Sequence, residues 1–197
     1  MLEILKYFRL TLEFIRCLPH IIVFLICSNH EIIKQDNRRW LEIMNRKETG
    51  LIGLIYLLGF FPEYRNLFYK RVGTIGHLLN IICPKMSSLF IATDNIGPGL
   101  FIQHGFATII SAESIGENCW INQQVTVGFG VGNGRPTIGN NVRIAPGAKV
   151  FNNIFIGDNS NIGANAVVTK NVPSDATVIG IPAYIIKING VKITKAL

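Results

Sequence analysis

From residue 96 onward a β-branched aliphatic residue returns at almost every sixth position. The series starts at Ile96, runs through Ile102, Ile109, Ile115, Ile121 and Val127, and resumes past a loop at Ile138, Ile144, Val150, Ile156, Ile162 and Val168. The step departs from six only by one extra residue before Ile109 and by the longer span across "GFGVGNGRPT". Glycine often follows the aliphatic residue, as in "IGPG", "IGEN", "IGNN", "IGDN" and "IGAN", and asparagine and glycine fill the positions between. Six is no multiple of the helical 3.6, and plain two-residue alternation would not space glycine and asparagine so regularly. The pattern predicts a short strand and a tight corner repeated along the chain, the hexapeptide repeat of a parallel β-helix. Three repeats make a coil, so residues 18 apart stack with strands about 4.8 Å apart.

The first half follows a different period. Leu5, Phe8, Leu12 and Ile15 fall at helical spacing, with Glu3, Lys6, Arg9, Glu13 and Arg16 on the other side, and Pro19 is expected to end the pattern. Further helical segments are predicted over 20–48, 50–60 and 63–82, broken near Asn29, Gly50, Pro62 and Pro84. The expected fold is mainly β: a helical N-terminal region over 1–88, a β-helix over 89–187 and a C-terminal tail over 188–197.

Composition narrows the classes of function. With 49% apolar and 16% charged residues, the 197-residue chain is greasy and globular rather than disordered. The formal charge of +7 is uneven: residues 1–90 hold 12 Lys and Arg against 7 Asp and Glu, residues 91–197 hold 7 against 5. A basic, apolar front half suits an anionic lipid surface or an acidic ligand. Nucleic acid is not expected, because no basic stripe is interleaved with aromatics. Cys17, Cys27, Cys83 and Cys119 are too far apart in sequence for a C-x-x-C metal pair and too sparse for a disulfide scaffold, which suits a reducing cytoplasm. No signal-peptide order is seen, and "IIVFLIC" and "LIGLIYLLGFF" are shorter than the roughly 20 residues of a membrane span.

Register turns the repeat into a map of candidate chemistry. With Ile102, Ile121, Ile144 and Ile162 stacked, the residues two places on also stack: His104, Gln123, Pro146 and Ala164. That file is roughly 15 Å long by strand spacing, enough for a thin, extended ligand. The loop from Gly128 to Thr137 is expected to overhang the same region. Phe101, Trp120 and Arg143 each precede a register residue and should stack on the outer face, with Arg143 over the indole. Cys119 should point inward as a small core residue. His20, His30 and His77 lie in the helical half as surface or core residues.

Residues 96–187, through "IGPGLFIQHGFATII", "INQQVTVG", "IGNNVRIAPGAKV", "IGANAVVTKNVP" and "VIGIPAYII", resemble the left-handed β-helix hexapeptide acyltransferases. Within these they resemble the serine-acetyltransferase-like branch that includes capsule and exopolysaccharide O-acetyltransferases. The resemblance implies a left-handed coil, a homotrimer, acetyl-CoA as donor, no metal, and a site between neighbouring subunits. It implies that His104 is the general base, a role suited to an imidazole with a pKa near 6.5; otherwise its nitrogens satisfy neighbouring backbone groups. Gly128, Pro146, Gly147 and Ala164 match positions where small residues admit the pantetheine arm, and Lys170 is placed to meet the nucleotide phosphates. The Gly128 N–H is a candidate oxyanion donor.

Two positions depart from serine acetyltransferases. Leu89 stands where a carboxylate would orient the histidine, and Arg135 stands where a second histidine would lie. These departures direct the expectation toward O-acetylation of a sugar hydroxyl in a surface-polysaccharide precursor, with Gln123 and Arg135 binding the acceptor. A lipid-linked precursor would give the N-terminal helices a peripheral place on the inner membrane face. The alternatives are serine O-acetylation and a non-catalytic β-helix scaffold.

Overall fold

The structure is a computed structural model that describes residues 2–130 and 134–197, with side chains from residue 11 onward. It forms two compact units, Met1–Met86 and Ser87–Leu197.

The first unit holds five helices: α1 (Leu2–Ile26), α2 (His30–Ile43), α3 (Gly50–Phe60), α4 (Pro62–Val72) and α5 (Ile75–Ile82). Sequence "GLIGLIYLLGF" is apolar on every side, which suits a central helix, and α3 is accordingly packed by α1, α2 and α4. Leu54, Leu57, Leu58, Tyr64, Leu67, Phe68 and Trp40 are fully buried around it. Arg71, in the last turn of α4, donates to both carboxylate oxygens of Asp36 at 2.8 and 3.2 Å inside this core.

Two expectations are corrected here. α1 continues through Pro19 to Ile26, because residues beyond the proline (His20, Ile21, Val23, Phe24) bury into the unit and offset its missing N–H. The segment expected over 63–82 breaks at Gly73, whose φ of 70° ends α4 before α5 begins. The side chains of Glu3, Leu5, Lys6, Phe8 and Arg9 lie outside the described residues, and Leu12 and Ile15 are exposed. Near the end of α5, Cys83 is pulled below the usual thiol range, first by its hydrogen bond with Cys17, and the same bond pushes Cys17 up.

The second unit is a coil of parallel strands. β1 (Leu89–Ile91), β2 (Asn95–Ile96) and β3 (Phe101–Ile102) make the first turn. β4 (Thr108–Ile110), β5 (Ser114–Ile115) and β6 (Trp120–Ile121) make the second. β7 (Thr126–Gly128), β8 (Thr137–Ile138) and β9 (Arg143–Ile144) make the third, and β10 (Lys149–Phe151), β11 (Phe155–Ile156) and β12 (Asn161–Ile162) the fourth. β13 (Val167–Val168) and β14 (Ala176–Ile179) begin a fifth turn, which β15 (Tyr184–Ile188) and β16 (Val191–Ala196) close by turning back antiparallel. Residues 188–197, read from sequence as a tail, thus belong largely to a paired strand.

Three sheets result: β1-β4-β7-β10-β13, β2-β5-β8-β11, and β3-β6-β9-β12-β14-β15-β16. Every register residue except Ile109 is buried. Ile109 is 44% exposed, while Ile110 is fully buried and pairs with Val127. The turn after Ile102 therefore holds two extra residues rather than one, and the next corner is shorter by one. Asparagines 118, 141, 159 and 165 take left-handed corner conformations, which Asn tolerates better than most residues. Some of them hydrogen-bond along the coil, as Asn141 Nδ2 does to Asn159 Oδ1 at 3.0 Å.

Candidate active site

The widened turn is the one that carries His104. In the lower turns the left-handed residue lies three places after the ladder residue, at Gln124, Gly147 and Asn165. In the upper turn His104, Gly105 and Ala107 all have positive φ, 64°, 59° and 52°. Gly105 N–H donates to the Gln103 carbonyl and Phe106 N–H to the His104 carbonyl, both at 2.8 Å, so the chain doubles back twice within one corner. The extra residues leave His104 exposed at this corner, between the third and first sheets.

The file beneath it forms as register requires. Ile102 pairs with Ile121, Ile121 with Ile144, and Ile144 with Ile162, and Gly147 N–H and Asn165 N–H continue the corner to the carbonyls of Gln123 and Pro146 at 3.1 and 3.0 Å. The amide oxygen of Gln123 is buried without a hydrogen-bond partner among the described residues, an arrangement that costs energy unless a ligand completes it. Ala164 is exposed and Pro146 partly so, leaving the lower file open to a narrow molecule.

The remaining candidates lie elsewhere. Gly128 ends β7, and Arg135 and Lys170 occupy the same side, between the first and second sheets. The loop after Gly128 therefore leaves the edge opposite His104, about 10 Å away along a three-residue strand. The expected overhang of the His104 file rests on residues 131–133, which lie outside the described residues. Arg135 Nη2 donates to Glu113 Oε2 at 3.0 Å, and its guanidinium lies 5.8 Å from the Phe129 ring centre. Lys170 Nζ donates to the Leu197 carbonyl at 2.7 Å beside a groove of about 400 Å³ lined by Val167, Thr169, Ile181, Pro182 and Tyr184.

The glycines divide by cause. A Cβ on Gly147 would meet the Asn165 side chain, and its φ is 75°, so its own fold requires glycine. Among the described residues a Cβ on Gly128 would meet only the Ser111 Cβ, at an ordinary 3.8 Å, so none of them explains why residue 128 has no side chain.

Sequence reasoning missed the group that holds the corner from behind. Gln103 Oε1 accepts from Trp120 Nε1 at 3.2 Å and Asn122 Nδ2 at 2.8 Å, fixing the residue before His104. The expected outer stack is present around it: Phe101 meets Trp120 edge-on with centres 5.0 Å apart, and the Arg143 guanidinium lies 4.4 Å from the indole centre. Leu89, by contrast, is buried and pairs with Thr108, four residues along the chain from His104. Its apolar side chain serves packing.

Comparison with known proteins agrees with this geometry. Residues 135–170 match the bacterial transferase hexapeptide (six repeats) family. The second unit is a left-handed β-helix of hexapeptide repeats. The chain is 51% identical over 105 residues to the serine acetyltransferase of Staphylococcus aureus strain Mu50, covering 51% of this chain and 49% of that protein. It is 51% identical over 135 residues to the serine acetyltransferase of Staphylococcus xylosus, covering 66% and 62%. The chain thus spans about half to three fifths of the length of these curated relatives. Among solved structures, the serine acetyltransferase of Neisseria gonorrhoeae in complex with serine superposes with a TM-score of 0.64 at 26% identity, covering 80% of this chain and 69% of that one.

These relatives overturn the expected polysaccharide acceptor, since they are named for serine. Of the two departures that suggested a sugar, Leu89 is a buried side chain paired with Thr108, and Arg135 lies, within one chain, at the opposite edge of the first sheet. Among the described residues no helix is long and apolar enough to cross a membrane.

Proposed function

We propose that the hexapeptide coil transfers the acetyl group of acetyl-CoA to the hydroxyl of L-serine, with His104 as general base. The observation that carries this reading is the exposed His104 at the head of a file whose next member, Gln123, keeps a buried amide oxygen without a partner among the described residues. The likeness to serine acetyltransferases over half the chain supports it.

The chemistry follows from the side chains. A serine hydroxyl is a weak nucleophile until its proton is removed, and a neutral imidazole accepts that proton near neutral pH. The hydroxyl oxygen then attacks the thioester carbon. Collapse of the tetrahedral intermediate breaks the C–S bond, and the leaving thiolate takes up the proton that His104 has carried. The Gln123 oxygen is an acceptor suited to the ammonium group of an amino acid. Arg135, already paired with a carboxylate, is suited to the acceptor's own.

One chain does not bring these groups together, which supports a trimer with the site between copies. A cyclic trimer uses a heterologous contact, setting one edge of each chain against a different edge of the next. The His104 corner and the Gly128–Arg135–Lys170 edge are such a pair. Placed across a seam, they would give the acceptor a base from one copy and the thioester a side-chain-free approach at Gly128 from its neighbour.

The test is product identification. Purified protein with acetyl-CoA and a panel of hydroxyl compounds should form O-acetyl-L-serine, seen by mass, with matching release of free thiol. Thiol release with every acceptor except serine would overturn the assignment.

A further inference from the structure

The helical unit contains a second group of reactive side chains with no part in acetyl transfer. Cys17 and His20 lie one turn apart on α1, and Cys83 follows the end of α5. All three are fully buried. One ligand atom from each lies within 4.8 Å of the other two.

The histidine is held as a metal ligand would be. Its Nε2 is 2.9 Å from Tyr69 Oη, and that hydroxyl donates onward to the Cys83 carbonyl at 2.6 Å. Its Nδ1 is buried and has no hydrogen-bond partner among the described residues. Metal-bound imidazoles characteristically donate their other N–H to such a second group, which fixes ring and tautomer. The Tyr69 hydroxyl fills that place for Nε2, and Nδ1 is the ring nitrogen that keeps its lone pair unengaged.

We infer that Cys17, His20 and Cys83 bind a thiophilic divalent cation, zinc in the first instance, joining the end of α5 to the middle of α1. Charge favours the set: two thiolates and a neutral imidazole bring a dication to zero, and a net-neutral group tolerates full burial far better than a lone ion. Size also favours it. Zinc–sulfur bonds of about 2.3 Å place two sulfurs about 3.8 Å apart in a tetrahedron, so the cluster contracts by about an ångström or less. On binding, each S–H bond breaks, the sulfur lone pair goes to the metal, and up to two protons pass to the buffer. In sequence the site is hidden because its third ligand comes from the far end of the unit, outside any short cysteine motif.

The full-length chain, reduced and stripped with a chelator, should be titrated with Co²⁺ while its helical circular dichroism is followed. A sulfur-to-cobalt charge-transfer band saturating at one ion per chain, displaced by Zn²⁺, is the expected result. C17S and C83S should each abolish tight binding, C27S and C119S should retain it, and Y69F should weaken it by about 10–100-fold. A folded wild-type chain that shows no such band, or a band that survives in the C17S/C83S double variant, would overturn the inference. The wild-type titration alone decides the matter if the variants fail to fold.

Discussion

At the residue scale, the glycines separate packing from ligand approach. Gly147 needs its left-handed backbone, so G147A should cost about 1–2 kcal/mol of stability. Gly128 has room for a methyl group, so G128A should leave stability within about 0.5 kcal/mol of wild type. If the pantetheine arm passes over residue 128, the same change should raise the KM for acetyl-CoA about tenfold, the equivalent of about 1.4 kcal/mol. Thermal unfolding and steady-state kinetics on the two variants check both halves. Cys119 offers a different test. Burial pushes its thiol from the ordinary 9.0 up to about 11, so its contribution to stability is full below pH 9 and is lost as pH climbs toward 11. Relative to C119A, wild type should lose about 1.4 kcal/mol between pH 8 and pH 10 in urea unfolding. A constant difference would show that the thiol titrates normally in the folded chain.

At the element scale, adjacent isoleucines of one strand have opposite roles. Ile110 is fully buried in the ladder and Ile109 is 44% exposed. I110A should therefore cost about 2–5 kcal/mol and I109A about 0.5 kcal/mol or less. Equal costs would restore the simpler register. This strand also shows where the sequence stops being informative. The six-residue step revealed the coil, its ladder and the His104 file, because a buried side chain every third of a turn leaves an unmistakable period. It did not distinguish Ile109 from Ile110, since two neighbouring isoleucines satisfy a hydropathy pattern equally and the choice depends on corner geometry. Pro19 misled for a related reason: local propensity argues for a helix end, and tertiary burial of His20, Ile21 and Phe24 outweighs it.

At the scale of the whole molecule, the period says which residues share a corner but not which corners meet. His104 and Gln123 were legible as neighbours in one file. The separation of Gly128, Arg135 and Lys170 onto the opposite edge of the first sheet became visible only once the strands were assigned to sheets. That separation makes the proposed site a property of the assembly, in which a solution mass of three times the 21.9 kDa chain is expected. Leu89 shows the same limit, since its burial and its pairing with Thr108 became visible only in the structure.

The central claim is that His104 removes the acceptor proton, and the variant H104N tests it most directly. Asparagine tolerates the left-handed backbone that residue 104 adopts but cannot serve as a base at neutral pH. With the melting temperature and oligomeric mass unchanged, kcat for acetyl transfer to L-serine should fall by about 10²–10⁴-fold. A kcat within a few-fold of wild type in that intact variant would contradict the account.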